Sequence, residues 1–218
     1  MSDQRPPVTG WQRDLVLFID RQIIKLAQHW LAAFNLLIGV YLLLPILAPV
    51  LMASGAPRLG RAIYVLYAPA CHQLPQRSFF LYGPQATFTL DELWALGEVD
   101  SDNPFVLKQF LGSAQVGFKM ALCVRDVALY GGLLTGGLLF ALLRKQRKPI
   151  SLLVYGLCLL PMVIDGGTQL IGLRESNWIL RLISGGIAGI ATVWLLYPHI
   201  ENAFDEVRWR AQTQVKKA

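Results

Sequence analysis

Residues 71–78, with the sequence CHQLPQRS, place a thiol, an imidazole, an amide and a guanidinium within seven positions. Thiolate and imidazole are zinc ligands, and a thiolate is also a nucleophile when its pKa is lowered. Arginine binds carboxylate or phosphate through paired hydrogen bonds. The segment is therefore predicted to form part of a functional site.

The surrounding composition is typical of a membrane protein. Hydrophobic residues make up 54% of the 218 residues and charged residues 16%, against about 25% charged in soluble proteins, and the mean hydropathy is +0.44. The net charge of +6 does not indicate a nucleic-acid partner, because no basic run alternates with aromatic residues. The expected partner is the lipid bilayer.

Four apolar stretches approach the roughly 20 residues that a helix needs to cross a bilayer. We expect transmembrane helices at about 31–53, 119–143, 150–173 and 178–198. Pro45 and Pro49 predict a kink or an early end in the first of them. Residues 54–118 form a long connection that carries short helices, one of them with Thr89 and Glu92 at capping-box spacing.

Residues 1–30 and 199–218 flank the membrane domain. Apolar residues at helical spacing over 11–30 predict an amphipathic helix, which either lies at the interface or continues the first span into the cytosol. The predicted fold class is an all-α membrane protein with four transmembrane helices, this N-terminal amphipathic helix and the long external loop 54–118.

Basic residues predict the orientation. Three segments on one side of a four-span protein hold twelve of the twenty Lys and Arg residues. The twelve are Arg5, Arg13, Arg21, Lys25, Arg144, Lys145, Arg147, Lys148, Arg208, Arg210, Lys216 and Lys217. By the positive-inside rule this side is cytoplasmic. We expect both termini in the cytoplasm and the chain in the cell (inner) membrane.

With this topology, four polar segments reach the external face. A charge inside a span costs about 2.5–3.5 kcal/mol on insertion scales, so such charges pair with one another or line a polar cavity. Asp165 has partners in Arg77, Arg125 and Arg181, and this pairing also fits a purely structural network between helices. The predicted site comprises Cys71, His72, Gln73, Arg77, Cys123, Arg125, Asp126, Asp165, Gln169, Arg174 and Arg181.

Two uses of the cysteines are compatible with this site. Cys71, His72, Cys123 and Asp165 form a ligand set for tetrahedral zinc, although adjacent ligands lack the usual spacing and the nearby arginines disfavour a cation. A disulfide between Cys71 and Cys123 would close a loop of about fifty residues and contribute on the order of 4 kcal/mol.

Two further interpretations stay open. Cys71 is a candidate nucleophile or redox centre, with His72 or Arg77 lowering its pKa. The four arginines are equally suited to an anionic ligand or a lipid headgroup. The chain has no CxxCH sequence, so no haem is predicted.

Four stretches of the chain resemble the DUF2085 family of predicted multipass membrane proteins. They are CHQLPQRSF at 71–79, GFKMALCVRDVALYGG at 117–132, PMVIDGGTQLIGLRESN at 161–177 and RLISGGIAGIATVWLLYP at 181–198. The resemblance covers most of residues 64–198 and leaves out the amphipathic N-terminus. It implies a multipass fold and a recurring polar set, but no reaction, substrate or cofactor.

The leading functional interpretation is a binding, scaffold or accessory subunit, since the polar residues cluster without a recognisable catalytic triad or ion path. It would associate with other membrane subunits or with an anionic ligand. The first alternative is a membrane enzyme or metal-binding protein that uses Cys71, His72, Cys123 and Asp165. The second is a transporter of a small solute or ion. Four spans leave little room for a transport path, and the charges lie near one face only.

Overall fold

The computed structural model describes residues 10–143 and 148–215, most of which are helical. In chain order the elements are α1 (Trp11–Ala53), α2 (Pro57–Tyr67), a 3₁₀ turn (Pro75–Arg77), β1 (Ser78–Leu81), α3 (Leu90–Ala95), α4 (Pro104–Leu107), β2 (Gly112–Ser113), β3 (Gly117–Cys123), α5 (Val124–Leu142), α6 (Leu152–Leu170) and α7 (Trp178–Val215).

Within the described residues, four helices are long and apolar enough to cross a membrane. The spans are Arg21–Ala53, Val124–Leu142, Leu152–Leu170 and Trp178–Trp209. The prediction of a helical membrane protein with four spanning helices is therefore confirmed. The predicted basic turn at 144–148 falls mostly outside the described residues.

The amphipathic segment 11–30 is the first part of α1 and joins the span without a break. Of the two predicted arrangements, the structure therefore has the one in which this segment continues the first span. Pro45 and Pro49 lie inside α1, which ends only at Ala53. Gly55 follows with a φ of 84°, and Pro57 at the first turn of α2 starts the next helix. Together these residues end α1 and reverse the chain direction.

Helix α7 continues through Pro198 to Val215, where the sequence had indicated only a polar tail. This extension packs against α1: the Trp30 indole donates to Glu201 Oε2 at 2.8 Å, and Arg208 donates to the Ala27 carbonyl at 2.7 Å. Trp30 is fully buried in an apolar cluster with Phe140, Val193 and Tyr197. The first and last helices are thus joined through the N-terminal half of α1 and the C-terminal half of α7.

A three-stranded antiparallel sheet in the order β1-β3-β2 lies in the chain between α2 and α5. Ser78 pairs with Cys123 and Leu81 with Phe118. Because residues 117–123 form β3, α5 begins at Val124 and not near residue 119 as predicted. The turn into β3 requires glycine at position 117, since its φ is 79° and a Cβ would lie 2.3 Å from the Leu81 carbonyl oxygen.

Helices α5 and α7 lie in close contact through small residues, as the Gly-rich sequence predicts. A Cβ on Gly189 would lie 2.2 Å from the Leu129 carbonyl oxygen, so the two backbones approach too closely for any side chain there. Polar residues at the starts of α5 and α7 meet the end of α6 and residues 71–78. We call this end of the bundle the site end.

Candidate functional site

The loop after α2 is fixed by Gln73, which is buried and has a left-handed φ of 52°. Its side-chain amide donates to the carbonyl oxygens of Tyr64 at 2.9 Å and Ala121 at 3.0 Å. Gln73 therefore ties the loop to α2 and β3. Sequence analysis placed Gln73 in the site, and its contacts make it a positioning residue for Cys71.

Lys119 on β3 is completely buried beside this loop, and sequence analysis did not include it in the site. Its ammonium group donates to the carbonyl oxygen of Gln73 and to that of Lys108 at 3.0 Å. Burial lowers the pKa of Lys119 to about 7, while the charge of Cys71 acts in the opposite direction. A single lysine inside the apolar run 117–123 was the available signal, because buried charges are rare and require partners.

Cys71, Cys123 and Asp126 converge at the site end. Their ligand atoms all lie within 4.8 Å of one another. Cys123 is the last residue of β3 and Asp126 lies in the first turn of α5, so the three-residue spacing places both side chains on one face of the helix. The Cys123 thiol donates to Asp126 Oδ2 at 3.2 Å.

Cys71 is the residue of this group that is prepared as a thiolate. Its sulfur accepts the backbone N–H groups of Cys123 at 3.3 Å and Gln73 at 3.5 Å. The neighbouring Cys123 side chain lowers the pKa of Cys71, and the proximity of Cys71 raises the pKa of Cys123; the contact with His72 lowers the pKa of Cys71 further. Cys71 is thus the more acidic of the two thiols and Cys123 the less acidic one.

The His72 imidazole is exposed, with its Nδ1 atom 4.0 Å from the Cys71 sulfur. The hydrogen bond to Cys71 raises the pKa of His72. Neighbouring side chains normally diverge, but the irregular backbone at Gln73 brings both toward one point. His72 therefore lies beside Cys71, outside the group in which all ligand atoms are within 4.8 Å of one another.

Asp165 does not lie with the cysteines, so the zinc ligand set predicted from the sequence is corrected at this residue. Its side chain is 1% exposed and pairs with Arg125 and, at 2.9 Å, with Arg174. The carboxylate that the sequence assigned to a metal thus forms ion pairs with two guanidinium groups. Asp126, which the sequence placed in the site without a ligand role, lies beside the cysteines.

A second carboxylate, Glu175, was missed by sequence analysis. It accepts hydrogen bonds from Arg77 and Arg181, both at 3.0 Å, and from the Gln169 amide at 2.6 Å. Burial opposes ionisation of Glu175, but the hydrogen bond and charge of Arg77 outweigh it, so the pKa of Glu175 is lowered. Its position directly after Arg174, in the short loop between two spans, was the signal in the sequence.

We call these six residues the arginine network: Arg77, Arg125, Arg174 and Arg181 with Asp165 and Glu175. Arg181 is 3% exposed and also donates to the Gln76 carbonyl oxygen at 3.2 Å. The network joins residues 71–78 to α5, α6 and α7. The predicted convergence of polar segments is therefore present as two adjoining groups, the cysteine group and the arginine network.

Cys71 and Cys123 are both free thiols in the structure, so the predicted disulfide between them is not formed. Cys158 lies separately in the middle of α6 and is half-buried. The arrangement of Cys71, Cys123 and Asp126 can hold a cation. The two thiols are also close enough to form a disulfide reversibly.

Comparison with known proteins relates the chain to a family of predicted membrane proteins and to uncharacterised proteins. Residues 114–195 match the model of a family described as predicted membrane protein DUF2085. An uncharacterised protein of Methanocaldococcus jannaschii is 33% identical over 138 residues, covering 62% of this chain and 67% of the relative. An uncharacterised protein of Methanothermobacter thermautotrophicus is 38% identical over 74 residues, covering 34% and 67%. No solved structure matches. The chain belongs to the DUF2085 family of predicted membrane proteins.

Proposed function

We propose that this chain is a non-catalytic binding or accessory subunit of the cell membrane that holds one thiophilic divalent metal ion, of the zinc class. In this proposal both termini face the cytoplasm and the site end faces outward. The observation that carries the proposal is the convergence of Cys71, Cys123 and Asp126, whose ligand atoms lie within 4.8 Å of one another.

Ligand distances support this assignment. Two thiolates on a tetrahedral zinc ion lie about 3.8 Å apart, given Zn–S bonds of about 2.3 Å. The observed upper limit of 4.8 Å therefore requires a contraction of at most about 1 Å. His72 Nδ1 lies 4.0 Å from the Cys71 sulfur but outside the 4.8 Å group, so its exposed imidazole would have to turn toward the other ligands to serve as the fourth.

Carboxylate partners weaken the objection that nearby arginines disfavour a cation. Arg125 is paired with Asp165 and Arg77 with Glu175, so both of these guanidinium groups have a carboxylate partner away from the cysteines. Two thiolates and one carboxylate exceed a divalent ion by one negative charge. The buried ammonium group of Lys119, which lies within electrostatic range of Cys71, would offset that charge.

The backbone around Cys71 also favours a thiolate ligand before any metal arrives. Metal binding needs deprotonated sulfur and so competes with protons. Because two backbone N–H groups already point at the Cys71 sulfur, part of that cost is met by the fold. We therefore expect the metal to bind a preformed site.

Elemental analysis of the full chain, purified in detergent and equilibrated with Zn²⁺, tests the proposal. We expect about one zinc per chain, as for a single tetrahedral site, and a thiolate-to-metal charge-transfer band after replacement with Co²⁺. Cys71→Ser, Cys123→Ser and Asp126→Asn should each lose the metal. Asp165→Asn is the matched control and should retain it. Wild-type protein that stays metal-free after this loading would refute the assignment.

A thiol–disulfide exchange centre is the second candidate, favoured by the Cys71 thiolate lying beside the Cys123 thiol. The Cys71 thiolate would attack a disulfide such as oxidised glutathione and release one glutathione thiolate. Cys123 would then displace the second glutathione and close the Cys71–Cys123 disulfide. Release of two glutathione molecules per metal-free chain, abolished by Cys123→Ser at the second step, would support this activity.

A further inference from the structure

The arginine network carries more positive than negative charge. Within the described residues, its four guanidinium groups share two carboxylates: Asp165 pairs with Arg125 and Arg174, and Glu175 pairs with Arg77 and Arg181. Buried charges in a membrane protein are normally matched by partners. The excess positive charge therefore calls for an anion.

The hydrogen-bond donors of the network are also incompletely used. The Nε atoms of Arg77, Arg125 and Arg181 are buried and have no hydrogen-bond partner among the residues that the structure describes. A buried donor left unsatisfied costs about 1–3 kcal/mol, and more when it is charged. Such groups usually indicate a bound water, ion or ligand.

Arg181 is the clearest example. Its side chain is only 3% exposed, yet the carboxylate that balances it belongs to Glu175, which is 60% exposed. The other acceptor of Arg181 is the neutral Gln76 carbonyl oxygen. A deeply buried cation thus depends on a carboxylate that is itself mostly exposed.

The network lies where a membrane-spanning helix ends. Leu170 at the end of α6 and Ile171 and Leu173 just after it are 87%, 71% and 72% exposed. Arg174 comes next in the chain, and its side chain is 42% exposed. Arg174 is therefore reachable from an apolar surface at the level where lipid headgroups would lie, and it gives access to the network.

We propose that the arginine network binds an oxyanion of the phosphate class, which Arg77, Arg174 and Arg181 hold and which displaces the carboxylate of Glu175. Planar guanidinium groups form paired hydrogen bonds with phosphate oxygens, which favours this chemistry over a halide. The phosphate belongs either to an anionic lipid headgroup or to a free anion. The proposal does not depend on the metal site.

The test uses the full chain in zwitterionic detergent after metal removal with EDTA. Binding of inorganic phosphate is measured by calorimetry. Binding of short-chain phosphatidylglycerol, with short-chain phosphatidylcholine as the comparison lipid, is measured by native mass spectrometry. Phosphatidylglycerol binding without phosphate binding assigns the site to a lipid headgroup, and binding of both assigns it to the phosphate group itself.

Three variants separate an anion site from a structural network. Arg174→Gln should weaken binding about tenfold, as expected for one lost charge-assisted hydrogen bond. Glu175→Gln should strengthen binding several-fold, because it removes the competing carboxylate. Arg58→Gln on α2, exposed and outside the network, is the control and should leave binding unchanged.

A purely structural network gives the opposite pattern. Glu175→Gln would then reduce thermal stability and gain no ligand, since its only effect would be to leave two arginines without their carboxylate. Failure of both wild type and Glu175→Gln to bind either phosphate or phosphatidylglycerol, in protein that remains monodisperse and helical, would overturn the proposal.

Discussion

The sulfur of Cys71 accepts the backbone N–H of Cys123 at 3.3 Å, across a sequence separation of 52 residues. This hydrogen bond ties the loop after α2 to the junction of β3 and α5. Since Cys123 is also the residue that precedes the first turn of α5, the position of the thiols depends on where that helix begins. The geometry of the cysteine group is therefore a property of the sheet as much as of the loop.

Lys119 predicts a specific dependence of stability on pH. Burial lowers its pKa to about 7, against about 10.4 in an unfolded chain. Between these pH values the unfolded chain binds more protons, so the free energy of unfolding should rise with pH, by at most about 1.4 kcal/mol per pH unit. Below pH 7 both states are charged and the contribution is flat.

Thermal unfolding in detergent from pH 7 to pH 10, followed by circular dichroism, measures this effect. Wild type should gain stability relative to Lys119→Met as the pH rises, because the variant lacks the titrating group. Parallel curves for the two proteins across that range would show that Lys119 does not titrate as its burial requires.

The contact between α5 and α7 gives a second prediction. Alanine at Gly189 would place its Cβ 2.2 Å from the Leu129 carbonyl oxygen, so Gly189→Ala should force the helices apart and cost about 1–3 kcal/mol. Gly156→Ala on α6 is the matched control, because a Cβ there meets nothing within 4 Å. It should be neutral or stabilising by up to about 1 kcal/mol.

Chemical denaturation in mixed micelles measures both glycine variants. Equal destabilisation at the two positions would mean that helix propensity, and not the close approach of α5 and α7, determines the effect. The distinction matters for the site, since the same contact sets the separation of Arg125 on α5 from Arg181 on α7.

Orientation in the membrane gives a third prediction. Asp102 lies exposed in the connection between α3 and α4, and Lys148 lies exposed before α6. In intact cells an impermeant maleimide should label Asp102→Cys and leave Lys148→Cys unlabelled until the membrane is opened. Unmodified protein supplies the background, because Cys71 and Cys123 are buried. The reverse labelling pattern would place the site end in the cytoplasm.

The spans were predictable because a continuous run of about 20 apolar residues is typical of a helix that crosses a membrane. The sheet was not, because GFKMALC is an apolar run that continues directly into α5, and such a run fits a strand or a helix equally well. That ambiguity also concealed the role of Lys119, because a start of α5 at Val124 places Lys119 on a buried strand and not on a helix.

The sequence does not show which of two carboxylates lies beside the cysteines. Asp126 and Asp165 both reach the site end, and only the folded chain shows that Asp126 contacts Cys123 while Asp165 pairs with arginines. Arg125 turns toward Asp165 on α6, although Asp126 is its immediate neighbour in the chain. Helix geometry explains this, because adjacent residues on a helix do not face each other.

Gln73 gives the last prediction, which concerns metal affinity at the cysteine group. Its amide spans the Tyr64 and Ala121 carbonyl oxygens at 2.9 and 3.0 Å, while its backbone N–H points at the Cys71 sulfur. The shorter side chain in Gln73→Asn cannot reach both carbonyl groups, so Cys71 should lose its fixed position. Loss of such support typically lowers metal affinity about 10–100-fold.

Competition with a chromogenic zinc chelator measures this affinity in the full chain. Gln109→Asn is the matched control, since the Gln109 amide is exposed and contacts only the Phe105 carbonyl oxygen one turn away among the described residues. The control should bind zinc as wild type does. If Gln73→Asn also keeps wild-type affinity while the Cys71→Ser variant loses the metal, the loop does not need the Gln73 amide to hold its cysteine, and the ligands order themselves around the ion.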